Sequence, residues 1–232
     1  PGDVVKHCER AIMLRNGCIE LDGSSRAVTN RYLDELFGKR KVDSAALPEA
    51  GLSVEQALLS GHNDDFHTHP GYHREEHRWG HGGAAILDYL VVADGQEYPS
   101  RIESNSTTDF YFKVRFDADF DNVVPGFLIK TLEGIFLYGT NSFVSTQGRE
   151  HIAAQAGDVK VFKFSLSLAL NEGYYLISFG ISSGSPLQEL IPLDRRYDSV
   201  LIQVGRAMQF WGIVDLEASF HAIEKQAESV IA

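Results

Sequence analysis

From Gly83 onward, apolar and polar residues alternate with a period of two, and no other feature constrains the fold as strongly. Over 108–117, Phe110, Phe112, Val114 and Phe116 fall on one side and Tyr111, Lys113 and Arg115 on the other, as in a strand with one buried face. Ala84–Ala93 is an apolar run ended by Asp94-Gly95, and Phe127-Leu128-Ile129 leads through a Glu133-Gly134 turn to Ile135–Tyr138. Residues 159–170 alternate again, with a phase slip at Val161-Phe162 that predicts a bulge. Tyr174–Ile181, Ser199–Val204 and Phe210–Leu216 complete a set of seven to eight short strands, with turn signals every 8–15 residues. Such a set predicts an all-β fold, an antiparallel β-sandwich.

The sandwich has an immunoglobulin-like cast. Leu170-Asn171-Glu172-Gly173-Tyr174-Tyr175 is similar to a tyrosine corner, with Tyr175 as the inward ring. The stretch before it differs in kind. Ala11–Leu14 and Cys18–Leu21 flank Asn16-Gly17, a strong type I′ hairpin signal. Ser25 is the expected cap of a helix over roughly 26–37, with Val28, Tyr32 and Leu36 on one face. A hairpin and one helix cannot bury a core, so residues 1–37 read as the end of a larger domain. Residues 38–77 read as a linker punctuated by Gly38, Pro48, Gly51 and Gly61, with 38–61 as an extended tether. The sandwich is expected over 78–217. Phe220, Ile223, Ala227 and Val230 predict a short amphipathic C-terminal helix at 218–232.

Charge narrows the function. The net charge is −11, the wrong sign for sheathing a nucleic-acid backbone. Residues 1–41 are net positive and the rest strongly negative, which supports two modules. Two cysteines, Cys8 and Cys18, exclude a disulfide scaffold. No run is long enough for a transmembrane helix and no secretory signal is visible, so a cytoplasmic setting is expected. The chain lacks an initiator Met and is expected to be a piece of a longer protein.

Chemistry-bearing motifs are few. Six of the nine histidines lie within 62–81, and His69, His73, His77 and His81 recur every fourth residue. On a helix this would make a metal-ligating face. Pro70-Gly71, Gly80, Gly82 and Gly83 break any such helix, so no metal and no cofactor is assigned. Asp117, Asp119 and Asp121 alternate, but lack the glycine and closing glutamate of a calcium loop. Walker A and GxGxxG motifs are absent, and no nucleophile elbow is assigned, so there are no candidate catalytic residues and the chain is not expected to be an enzyme. What remains is a mixed aromatic and polar sheet face, suited to sugar rings and their hydroxyls. Strand alternation places Lys130, Tyr138, Tyr174, Ser178 and Gln203 outward on it as the candidate carbohydrate-binding residues. The Tyr111–Lys113–Arg115 stripe is the second choice.

Two stretches resemble a known family. Val4 to Ile19, with Gly23, Val28 and Tyr32, is similar to the end of an ABC-transporter nucleotide-binding domain. Arg78-Trp79-Gly80-His81-Gly82, Gly126–Lys130, Gly134-Ile135, Gly139–Ser142, Gly173–Leu176 and Phe210-Trp211-Gly212 resemble the C-terminal domain of the Wzt-type subunit of O-antigen polysaccharide exporters. That resemblance implies a domain that binds the modified non-reducing end of the O-polysaccharide and couples it to export. It also implies an ATPase domain ahead of Pro1. The implied partners are the glycan, a second copy of the chain in a homodimer, and the transmembrane permease, reached through the ATPase domain at the inner membrane. The competing expectation is a sandwich that only dimerises or docks a protein partner. An unguarded apolar strand at Phe210–Val214, hinged at Gly205–Met208, is the expected dimer contact.

Overall fold

A computed structural model describes residues 4, 7–25, 27–29, 31–32, 58, 61, 63–185, 187 and 189–223. The N-terminal hairpin is formed by β1 (Arg10–Arg15) and β2 (Cys18–Ser24). Asn16 and Gly17 have φ of 49° and 80°, the two left-handed residues that a type I′ turn demands. After β2 the chain turns helical at the described positions between 25 and 32. The Ala27 N–H donates to Ser24 Oγ at 3.3 Å, so the capping side chain is Ser24, one residue before the expected Ser25. Val28 is buried and Tyr32 exposed; Leu36 lies outside the described residues.

The sandwich has two sheets. The first has the order β10 (Val159–Ser167), β7 (Thr107–Phe116), β4 (Ala84–Ala93), β5 (Gln96–Glu97). The second runs β3 (His77–Trp79), β12 (Glu189–Gly205), β11 (Gly173–Ser185), β8 (Val123–Thr131), β9 (Phe136–Asn141), with β6 (Ile102–Glu103) also beside β12. All pairings are antiparallel except β6 with β12. The alternating phenylalanines meet between the sheets. Phe112 of β7 lies 5.0 Å from Phe179 of β11, and Phe110 lies 4.7 Å from Phe127 of β8, within the range of favourable ring pairs. The tyrosine corner is formed as well: the buried Tyr175 hydroxyl donates to the Asn171 carbonyl at 2.8 Å, and burial pushes that phenol up to about 12.

Several expectations are corrected. The phase slip at Val161-Phe162 is no bulge, because β10 pairs with β7 in unbroken register. Val161 faces out and Phe162 faces in, and both sides are apolar because both are covered. Leu58 is buried against Leu90 and Tyr111 on the outer face of this sheet, with Val161 packed beside them. Lys113, expected in solvent, is 1% exposed and pairs with Asp88 at 3.3 Å. The reserve stripe Tyr111–Lys113–Arg115 is therefore largely covered. Phe210–Leu216 is not a strand: its one ladder contact is the bridge Leu170↔Val214. Residues 217–223 have no regular structure, so no helix has begun by Ile223, and 224–232 lie outside the described residues.

The largest correction concerns the expected linker. Residues 63–76 belong to the sandwich. Phe66, in a short 3₁₀ turn (Phe66–Thr68), is fully buried, 4.4 Å from the Tyr89 ring. Leu201 N–H donates to the Gly71 carbonyl, Tyr72 bridges to Val200, and His73 N–H donates to the Ser199 carbonyl. With β3 and β6, this stretch covers the free edge of β12, which would otherwise invite another strand. Asp64 and Glu76 both pair with Arg196, which is 3% exposed and lies over the Phe66 ring. A buried guanidinium is tolerated only when paired in this way.

His69 completes the clasp, with Nε2 2.6 Å from Asp88 Oδ1 and its ring stacked on Tyr98. Burial works against the Asp88 charge. The His69 hydrogen bond, the charges of His69 and Lys113, and the Tyr89 N–H outweigh it and hold the carboxyl below its usual value. Stability from this group is present above about pH 4 and is lost as pH falls through the depressed folded value. Asp88→Asn should accordingly flatten the acid limb of Tm against pH and lower Tm at neutral pH. An unchanged acid limb by calorimetry would show that Asp88 does not contribute.

Candidate functional site

The outer face of the six-stranded sheet carries a groove of about 310 Å³. Its floor is made of glycines on adjacent strands: Gly180 of β11 is directly opposite Gly126 of β8, and Gly139 of β9 lies beside Leu128. Without side chains the sheet surface sinks there, so the groove crosses the strands. Ser178 and Ser182 flank Gly180 on the same face of β11, and Arg195 and Tyr197 of β12 form one wall. Asn141 and Val144 close the other side, Val144 on the four-residue helix α1 (Ser142–Ser145), whose first turn is capped by Asn141 Oδ1 accepting from Val144 N–H.

Arg195 is the distinctive group. It is half-buried, and its Nη2 donates to Ser182 Oγ at 2.6 Å. Among the described residues it makes no ion pair, although Arg78, Arg196 and Arg206 nearby in sequence or space each have carboxylate partners. Burial lowers its pKa, against the raising influence of Tyr197 and Asp194. A guanidinium stays charged in a protein, so this one is a partly desolvated cation with donors to spare. Tyr197 presents an aromatic wall, and Trp79 of β3 lies 6.2 Å from it.

The expected site residues divide. Ser178 lines the groove. Lys130 is not in its lining and lies two residues past Leu128 on β8: its ammonium lies 2.5 Å from Asp198 Oδ1 and is flanked by the rings of Phe136 and Tyr197 at 5.4 and 5.7 Å. It is 9% exposed and already neutralised, so it props up the aromatic wall and is not a free cation for a ligand. Tyr138 stands opposite Ile129, a core residue, because β9 slips register between Ile129 and Lys130; Phe136 takes the place beside Lys130. Tyr174 and Gln203 are paired with each other, on the same face but six residues from Gly180, roughly 20 Å along the strand.

Arg195 and Tyr197 were missed because β12 was expected only from Ser199. The run Leu190-Ile191-Pro192-Leu193-Asp194-Arg195-Arg196-Tyr197 carries a proline and three consecutive charges, which mask its extended character. The faint signal was Leu193 and Tyr197 at even spacing with Leu201, each separated by four residues.

The histidines do not converge. His69 and His73 fix the clasp, the latter through Nδ1 at 2.7 Å from the Asp198 carbonyl oxygen, and His81 Nδ1 lies 3.0 Å from the Pro192 oxygen. His77 is exposed on β3; His62 lies outside the described residues. Asp117 pairs with Arg115, and Asp119 accepts from Ala156 N–H. Among the described residues no three His, Cys, Asp or Glu side chains are grouped to hold a metal. A second cavity, of about 480 Å³, lies at one end of the sandwich against Asp119, Asp121 and Glu150. Its described lining sets these three carboxylates beside His151 and holds no lysine or arginine, which makes it the weaker candidate for an acceptor-rich ligand. No helix of the described residues is long and apolar enough to cross a membrane.

Residues 75–216 match the family model of the Wzt C-terminal domain. Among solved structures, the crystal structure of the C-terminal domain of Wzt is 55% identical with a TM-score of 0.70, covering 71% of this chain and 99% of that one. A CARDB domain from Pyrococcus furiosus, solved in complex with di-metal ions, is 13% identical with a TM-score of 0.30, covering 50% and 87%. The soluble domain of PmoD from Methylocystis is 14% identical with a TM-score of 0.29, covering 55% and 94%. No curated protein matches the chain.

Proposed function

The chain belongs to the Wzt C-terminal domain family, and from that premise we propose that it is a non-catalytic module that binds the modified non-reducing end of a bacterial O-antigen polysaccharide and couples it to export by an ABC transporter. The observation that supports this most is the groove across the outer sheet face, with Arg195, which has no ion pair among the described residues, above a glycine floor. Sugar rings offer apolar C–H faces to Tyr197, and their oxygen-rich substituents suit the guanidinium and the serine hydroxyls. An anionic substituent at the chain end would satisfy Arg195 best. The test is calorimetry with O-polysaccharide from the parent bacterium, before and after removal of its non-reducing terminal residues. Binding of the intact polymer alone is the expected result; equal binding of both, or of neither, would overturn the reading.

Coupling places the module at the inner membrane face beside the permease, through the ATPase domain to which the N-terminal hairpin is similar. A homodimer belongs to the same proposal. Met208, Trp211, Leu216, Phe220 and Ile223 are all more than 80% exposed, on a segment held to its own sandwich chiefly around Ala169–Asn171. A second copy offers these side chains an apolar partner. Light scattering should give a dimer for the intact chain at tens of micromolar and a monomer for a chain ending at Gly205; a monomeric intact chain would refute the dimer.

A further inference from the structure

We infer that Gly180 determines the specificity of the groove, by letting the Arg195 guanidinium rest on the sheet floor with its free donors turned to the ligand. The inference rests on the glycan-binding reading and deepens it. A Cβ at Gly180 would stand 2.1 Å from Arg195 Nη1, 2.8 Å from Cδ and 3.0 Å from Cζ, so the space that a side chain would fill is the bed of the arginine. Backbone conformation does not call for glycine here, because Gly180 is not among the residues with positive φ. Position in the fold disfavours it, since glycine in the interior of a central strand costs stability. Gly126, directly opposite, differs: a Cβ there would meet only ordinary contacts of 3.6–3.9 Å, so that position leaves the groove open without holding Arg195.

Ser182, the next residue on the same face of β11, fixes the arginine from the side through the 2.6 Å bond from Nη2. Nε and Nη1 then have no hydrogen-bond partner among the described residues. A low guanidinium offers these donors to acceptor oxygens on a ligand in the groove; a raised one would fill the groove. Gly180 and Ser182 are thus positioning residues, and Arg195 is the group that touches the glycan.

The test uses the full chain and polysaccharide released from the lipopolysaccharide of the parent bacterium. Gly180→Ala should keep or raise Tm while weakening binding about tenfold or more, the scale of a charge-assisted hydrogen bond. Added to Arg195→Ala it should cost nothing further. Binding of Gly180→Ala at wild-type strength, with Arg195→Ala defective, would overturn the inference and leave the glycan reading standing. If the wild type does not bind the polymer, the glycan reading fails, and the placement is read directly from the Arg195 Nε–Hε resonance. That resonance should shift and exchange faster with water in Gly180→Ala; an unchanged resonance would overturn the inference. Should Gly180→Ala fail to fold, Ser182→Ala with the same two readouts decides in the same way.

Discussion

Phe66→Ala should destabilise the protein by about 3–5 kcal/mol, the cost of emptying a fully buried aromatic site. The ring touches Tyr72, Tyr89 and Phe179 and lies beneath the Arg196 guanidinium, so its loss would open a cavity and loosen a buried charge together. A chain starting at residue 75, where the family match begins, should be worse still. It lacks Phe66, and it lacks Asp64, which is 2.5 Å from Arg196 and 2.8 Å from Arg78. Denaturant unfolding of chains starting at 61 and at 75 checks this. Equal midpoints would mean that residues 63–74 only decorate the sandwich, contrary to the burial described above.

Arg195→Ala should cost about 1.5–3 kcal/mol of glycan binding, roughly ten- to a hundredfold in affinity, through loss of charge-assisted hydrogen bonds. Arg195→Lys should recover only part of it, because an ammonium cannot reproduce the planar fork. Tm should barely move in either variant, since among the described residues the arginine has no ion pair to break. Lys130→Ala is the contrast: it strands Asp198 and removes the cation between Phe136 and Tyr197, so it should lower Tm first and binding as a consequence. Calorimetry and thermal melts on the three variants separate the two roles. An Arg195→Ala protein that binds at full strength would move the site off this groove.

The legible parts of the fold were those decided within a few residues. Phe110, Phe112, Val114 and Phe116 are buried where alternation puts them, the Asn16-Gly17 turn has the left-handed pair it requires, and Tyr175 makes its corner to Asn171 four residues away. The site was less legible. Of the five residues expected to bind, Ser178 lines the groove; Lys130, Tyr138, Tyr174 and Gln203 were assigned by a parity count that says nothing of neighbours. One extra residue in β9 turns Tyr138 away from Lys130's side, and only pairing with β8 exposes it.

By itself, then, the sequence determined the period-two strands, their inward faces, the tight turns and the family likeness, because each depends on contacts between near neighbours or on a pattern repeated along the chain. The tertiary structure decided which outward faces stay open. Lys113 and Tyr111 carry the alternation of solvent-facing residues and are buried: Leu58, from far along the chain, packs with Tyr111, and Lys113 pairs with Asp88, which His69 also holds. Arg196 and Arg195 are adjacent and equally charged, yet one is locked to Asp64 and Glu76, over a hundred residues away, while the other rests on Gly180 facing the groove. Neighbouring residues on a strand point to opposite faces, and what waits on each face is set by the packing of distant segments.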